Sequence, residues 1–218
     1  FMSYAGAAYC SPNSIINWNC ANCKGYASGS TNSVYLSAPA ANAAGYLTVN
    51  NKNKQIVIAY RGTKDIFNWL YNIIVLYYPA RLPYPYLGAQ IHFGFYTMAN
   101  ALYEQSKTAV QNAINQHPNY QLVFVGHSLG GAIAEIVAFK LAQDNVINWI
   151  NTSVYTYGQP RTGDLQFAQY VNSKPWTFTR ATSYGDIVLN LPPTALGYAH
   201  NQYNMFINKN GKVVKCST

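Results

Sequence analysis

A chain of 218 residues, half of them hydrophobic and only 9% charged, fits one domain that can bury a sizeable core. No apolar run approaches the ~20 residues that a membrane-spanning helix needs, so a soluble globular protein without an integral membrane segment is expected. The net charge of +8 comes from lysines and arginines scattered singly, which argues against a nucleic-acid partner. Solubility accounts for it, with a weak pull toward anionic lipid surfaces as an extra.

Along the chain, residues 2–9 start as a helix. Four cysteines form an even set, and the polar surface is carried by Tyr, Asn, Ser and Thr rather than by charge. That profile suits a secreted protein, with disulfides as the default and no signal peptide expected in a processed form. Cys20-Ala21-Asn22-Cys23 has zinc-like spacing but no second pair of ligands. It lies in an Asn-rich loop rather than at a strand–helix junction where a redox pair would sit, so a small disulfide between Cys20 and Cys23 is expected, with no metal. Gly45–Asn50 and Lys54–Tyr60 read as two strands joined by the polar turn at 50–53. Phe95 to about Gln116 has helical periodicity and stops before Pro118. Then follow a strand at 120–125, a helix at 128–143, a strand at 153–158, a helix near 164–173 and a strand at 176–182. The sequon Asn151-Thr152-Ser153 is compatible with glycosylation. Segments 199–207 and 211–216 form a hairpin around Asn210-Gly211. Strands alternating with long helices predict an α/β fold, a mostly parallel central sheet with helices on both faces.

The run Gly126-His127-Ser128-Leu129-Gly130-Gly131 falls between an apolar strand and an Ala-rich helix. Gly-x-Ser-x-Gly in that setting is a nucleophile elbow. Glycines flank Ser128 because the turn leaves no room for side chains, and the helix N-terminus is aimed at a developing oxyanion. A serine hydroxyl needs a histidine to take its proton and a carboxylate to orient that histidine. After Ser128 the acids are Glu135, Asp144, Asp164 and Asp186. The first two lie in or at the end of the elbow helix, and Asp164 reads as an N-cap. Asp186 lies past a strand's carboxyl end, where such folds place chemistry, and is the expected triad acid. One oxyanion donor is the Leu129 amide. The second is Thr63, at the end of Tyr60-Arg61-Gly62-Thr63, through amide and hydroxyl; Thr63 can equally cap the helix that follows. No cofactor is called for.

That helix, at about 64–74, carries an apolar stripe of Ile66, Trp69, Leu70, Ile73 and Ile74, with Phe67 beside it. Such a stripe packs on a core or forms a lid over an apolar cleft.

Taken together, the chain resembles the fungal class 3 lipases, the triacylglycerol lipases of filamentous fungi. The resemblance rests on Ala7-Ala8-Tyr9-Cys10, Tyr60-Arg61-Gly62-Thr63, Ile91-His92-Phe93-Gly94-Phe95, the elbow, Tyr157-Gly158-Gln159-Pro160-Arg161-Thr162-Gly163, Asp186-Ile187-Val188 and Leu191-Pro192-Pro193. It implies an α/β-hydrolase fold, Thr63 as side-chain oxyanion donor, a Trp-bearing lid at Phe67-Asn68-Trp69, and an interfacial lipid or ester substrate; a monomer is expected. Soluble-ester esterases of feruloyl type share the fold with a more polar lid. His200 alone follows Asp186 and is the fallback base, the alternative that goes with a Cys10–Cys216 bridge, but Gly197-Tyr198-Ala199-His200 resembles a family segment whose histidine is not catalytic. The resemblance puts the catalytic histidine further on and pairs Cys10 and Cys216 with cysteines beyond residue 218. A single domain over 1–218 lacking its C-terminal end is therefore expected. An inactive lipid-surface binder is the alternative if no catalytic histidine exists.

Overall fold

The structure, a computed structural model, describes residues 1–63, 81–83 and 88–216. Helices α1 (Met2–Ala7) and α2 (Pro12–Ile16) precede strands β1 (Ser30–Ala38), β2 (Ala43–Asn50) and β3 (Gln55–Tyr60). Short strands β4 (Arg81–Pro83) and β5 (Gln90–His92) lead into α3 (Phe93–Gln116), and β6 (Gln121–His127) feeds α4 (Leu129–Gln143). There follow β7 (Thr152–Tyr157), β8 (Gly163–Asp164), α5 (Leu165–Asn172), β9 (Thr177–Ser183), β10 (Tyr198–Ala199), β11 (Asn204–Ile207) and β12 (Val213–Cys216).

Eight of these strands form one sheet in the order β1-β2-β3-β6-β7-β9-β11-β12. From β3 to β11 all neighbours run parallel, and antiparallel pairs close both ends. The predicted α/β architecture is thus observed, with an added four-stranded antiparallel sheet β10-β8-β5-β4 built of strands two or three residues long. The predicted hairpin near the end is present as β11 and β12, shorter than expected.

Alternation along the central strands explains the two covered faces. Ile56, Ile58 and Tyr60 of β3 and Leu122 and Phe124 of β6 enter one core cluster with α3 and α4. Val57 and Ala59, and Val123 and Val125, point the other way into a second cluster with α1 and α2. Successive strand residues face opposite sides of a sheet, so a strand covered on both sides must be apolar at every position. In α3, Phe95, Ala99, Leu102, Ser106, Val110 and Ala113 are buried in one stripe, as an amphipathic helix on a sheet requires. Helix α4 is buried nearly all round, from Leu129 to Phe139 without a break. Its Ala and Gly content lets it sit close to the sheet. Among the described residues no helix is long and apolar enough to cross a membrane.

Candidate active site

The elbow forms where β6 ends. Ser128 has φ 56° and ψ −130°, a region side chains avoid, at a cost of about 1–3 kcal/mol. Two hydrogen bonds hold it there: Ser128 N–H donates to the Tyr157 carbonyl at 2.8 Å, and Gly131 N–H to the Ser128 carbonyl at 2.9 Å. The flanking glycines are a steric necessity. A Cβ on Gly126 would lie 2.1 Å from the Gly130 carbonyl oxygen, and one on Gly130 would lie 2.2 Å from that of Tyr60. Ser128 is buried, and its Oγ has no hydrogen-bond partner among the described residues. Leu129 is the first residue of α4, so its amide has no intrahelical acceptor.

Two further strand ends meet the elbow. Gly62, just past β3, lies so close that a Cβ there would be 3.3 Å from Ser128 Cβ, which brings Thr63 alongside. Gly158, just past β7, has φ 58°, and a Cβ on it would lie 2.8 Å from Asp186 Oδ2 and 3.8 Å from His127 Nε2. Asp186 follows β9, and its Oδ1 accepts the Val188 amide at 3.0 Å. The structure therefore brings Ser128, Leu129, Thr63 and Asp186 to one rim of the sheet. The predicted lid residues Ile66, Phe67, Trp69, Leu70 and Ile73 lie outside the described residues.

His200 is placed elsewhere. Its Nε2 meets the Leu189 carbonyl at 2.9 Å, and it makes no hydrogen bond to Ser128 or Asp186. Burial lowers its pKa to about 3, with the Arg180 charge adding to the effect, too weak for a base that must work near neutrality. The fallback assignment of His200 as base finds no support in this geometry. The other histidines have structural surroundings. His92 caps α3, accepting the Phe95 amide at 3.4 Å, and His117 ends that helix, stacked on Tyr120. Asp164 caps α5 through Phe167 N–H at 2.8 Å, as expected.

Three features were not anticipated. Tyr9 Oη lies 2.8 Å from His127 Nδ1. Burial pushes the Tyr9 phenol up to about 12 against a backbone bond from Gly62, so it stays protonated. The other nitrogen of the His127 ring, Nε2, would lie 3.8 Å from a Cβ on Gly158. Burial lowers the pKa of this ring while the Asp186 charge opposes that. Glu135, read from the sequence only as a residue of the elbow helix, is the centre of a buried network. Its Oε2 accepts from Gln159 Nε2 and Thr162 Oγ1, both at 2.5 Å, and its Oε1 accepts from Asn201 Nδ2 at 3.1 Å. Burial raises its pKa to about 7 against those bonds and the Arg180 charge. A glutamate inside an otherwise apolar helical run was the one available signal. Finally, Gly158 in Tyr157-Gly158-Gln159-Pro160 owes its identity to Asp186. The expected Cys20–Cys23 disulfide is present, and Cys10 and Cys216 form no disulfide with each other or with any other of the described residues.

The profile of the family described as Lipase (class 3) matches residues 57–196, the stretch holding the elbow and Asp186. The chain is similar to a lipase of Rhizomucor miehei, 35% identical over 73% of this chain and 44% of that protein. It is also similar to a secreted mono- and diacylglycerol lipase of Fusarium solani, 31% identical over 92% of this chain and 60% of that one. It thus spans about half the length of these relatives. Its fold matches the crystal structure of the lipase from Rhizopus microsporus var. chinensis with a TM-score of 0.90 at 28% identity, covering 100% of this chain and 76% of that one. Those structures carry the α/β-hydrolase fold seen here. By its profile match, its identity to these fungal enzymes and its elbow, the chain belongs to the class 3 lipase family.

Proposed function

We propose that the protein is a secreted serine lipase that hydrolyses acylglycerol esters at a lipid–water interface. The observation that carries this reading is the strained, buried Ser128 at the rim where Thr63, the Leu129 amide and Asp186 converge. In this reading Ser128 Oγ attacks the acyl carbonyl, and its proton passes to a histidine oriented by Asp186. The carbonyl oxygen gains negative charge in the tetrahedral intermediate, stabilised by the Leu129 amide and by Thr63. Collapse of that intermediate expels the alcohol, which takes the proton from the histidine, and water then cleaves the acyl-enzyme by the same route.

None of His92, His117, His127 and His200 bonds to Ser128 Oγ among the described residues. We propose that the base is a histidine C-terminal to residue 218, reaching the space beside Asp186 and Gly158. The apolar stripe at about 64–74 acts in this reading as the lid that opens at an interface, which favours acylglycerols over the phenolic esters a polar lid would suit. The printed names of the relatives, lipase and secreted mono- and diacylglycerol lipase, support the substrate class and the extracellular setting.

A serine-directed phosphonate applied to the protein purified from its source tests the reading. Rapid labelling that is lost in Ser128→Ala is expected, together with faster hydrolysis of a short-chain triglyceride above its solubility limit. No labelling of a purified protein with an intact mass near 24.2 kDa would leave the lipid-surface binder in its place.

A further inference from the structure

Asn151-Thr152-Ser153 is the chain's single Asn-x-Ser/Thr sequon, and the proposed chemistry makes no use of it. It falls in the turn that opens β7, closed by Thr152 N–H donating to the Trp149 carbonyl at 3.2 Å. Asn151 is exposed. Its Nδ2 donates one hydrogen to the Tyr120 carbonyl at 3.1 Å, which leaves the second hydrogen free for replacement. Asn151 precedes the first residue of β7, whereas Ser128 follows the last residue of the neighbouring parallel strand β6. Six or seven residues of strand put the two roughly 20 Å apart on opposite rims. Beside Asn151, Ile150 is 78% exposed, the highest value among the exposed large hydrophobic side chains described.

We propose that Asn151 carries an N-linked glycan, attached before β7 pairs with β6. The order of events follows from Ser153. The sequon needs its third-position hydroxyl, but in the folded protein Ser153 is 1% exposed and its Oγ accepts from Gln121 Nε2 at 2.9 Å. The transferase can read that hydroxyl only while the segment is still unpaired. In the transfer, a lipid-pyrophosphate-linked oligosaccharide of the secretory pathway supplies the sugar. The bond from sugar C1 to the phosphate oxygen breaks, the lipid pyrophosphate leaves with the electron pair, C1 bonds to Asn151 Nδ2, and Nδ2 gives up one proton to the enzyme. The remaining N–H keeps its bond to Tyr120. The glycan then shields Ile150 and stays clear of the face that meets lipid.

The inference rests on the secretory reading, so the test supplies the route. The full chain is expressed in yeast behind a secretory leader, and the secreted protein is treated with peptide:N-glycosidase. A loss of mass, with aspartate appearing at position 151 in the peptide map, is expected. Asn151→Gln and Ser153→Ala should be secreted at the lower mass and be unaffected by the enzyme. Translation into microsomes should give modified chain, whereas folded protein given to detergent-solubilised microsomal transferase should not be modified unless it is first unfolded. Secreted wild type unaltered by the glycosidase, or a shift that persists in Asn151→Gln, would overturn the proposal. If the variant fails to leave the cell, the wild-type peptide map alone decides. Failure of the protein to be exported by its own source would count against the secretory reading and leave the yeast result standing.

Discussion

Thr63 follows directly on Gly62, where an added Cβ would lie 3.3 Å from Ser128 Cβ, and the proposed function makes it an oxyanion donor. In that proposal the hydroxyl is the part that stabilises charge. Replacing it by the isosteric methyl in Thr63→Val should lower kcat on a soluble ester about 100-fold with KM little changed, since removal of one oxyanion donor costs that order. Thr63→Ser should retain most of the rate. Steady-state kinetics of the active protein check this, and equal loss in both variants would mean that Thr63 only shapes the turn. The positions around Ser128 were legible in the sequence because each is a short motif tied to a strand end. The Tyr9 contact to His127 was not, since the two are 118 positions apart and neither motif names its partner.

Helix α4 does two jobs with opposite requirements. The proposed function needs the amide of its first residue free, while its second turn is anchored by a buried carboxylate. The donors around Glu135 all point inward: Thr156 Oγ1 donates to Gln159 Oε1 at 2.6 Å, and Gln159 and Thr162 donate on to the carboxylate. An acceptor-only group satisfies them, but burial works against its charge, and it titrates at about 7 instead of the ordinary 4.5. Between those pH values the native state holds a proton that the unfolded chain has lost. The Glu135 contribution to stability therefore falls as pH rises through that window, by roughly 3 kcal/mol in full, and is flat above it. In Glu135→Gln this fall should be absent. Urea unfolding of both proteins at pH 4.5 and pH 8 measures the difference, from which the contributions of His92 and His200 cancel, and equal changes would refute it. Elements with strong periodicity or an apolar run, such as β3, β6 and α4, could be read from sequence. Strand β1 could not, because its outer face is solvated and its alternation is broken by an irregularity between Thr31 and Val34. The strands of the small sheet are too short to show any period.

At the scale of the whole molecule, protection should follow position in the sheet. Strands β3, β6 and β7 are covered on both faces and paired on both sides, so their amides should exchange only on global unfolding. Outermost β12, with Val213 and Val214 exposed, should exchange first. Native-state hydrogen exchange resolved by peptide tests this order, and early exchange in β6 would contradict it. The alternating sides of β3 and β6 made the two-faced sheet predictable, whereas the strand order depends on pairings between segments up to 66 residues apart.

Thr63, Ser128, Gly158 and Asp186 each stand one to three positions beyond the end of β3, β6, β7 and β9 respectively. Chain connectivity on the far rim is irrelevant to how they meet. The turns at Asn51–Asn53 and Asn148–Asn151, both on that rim, are places where the backbone can be severed and two fragments left to reassemble on the shared cores. Such a split protein would recover its reactive face as a consequence of strand pairing alone, which makes complementation of two inert halves a direct measure of whether the sheet has closed.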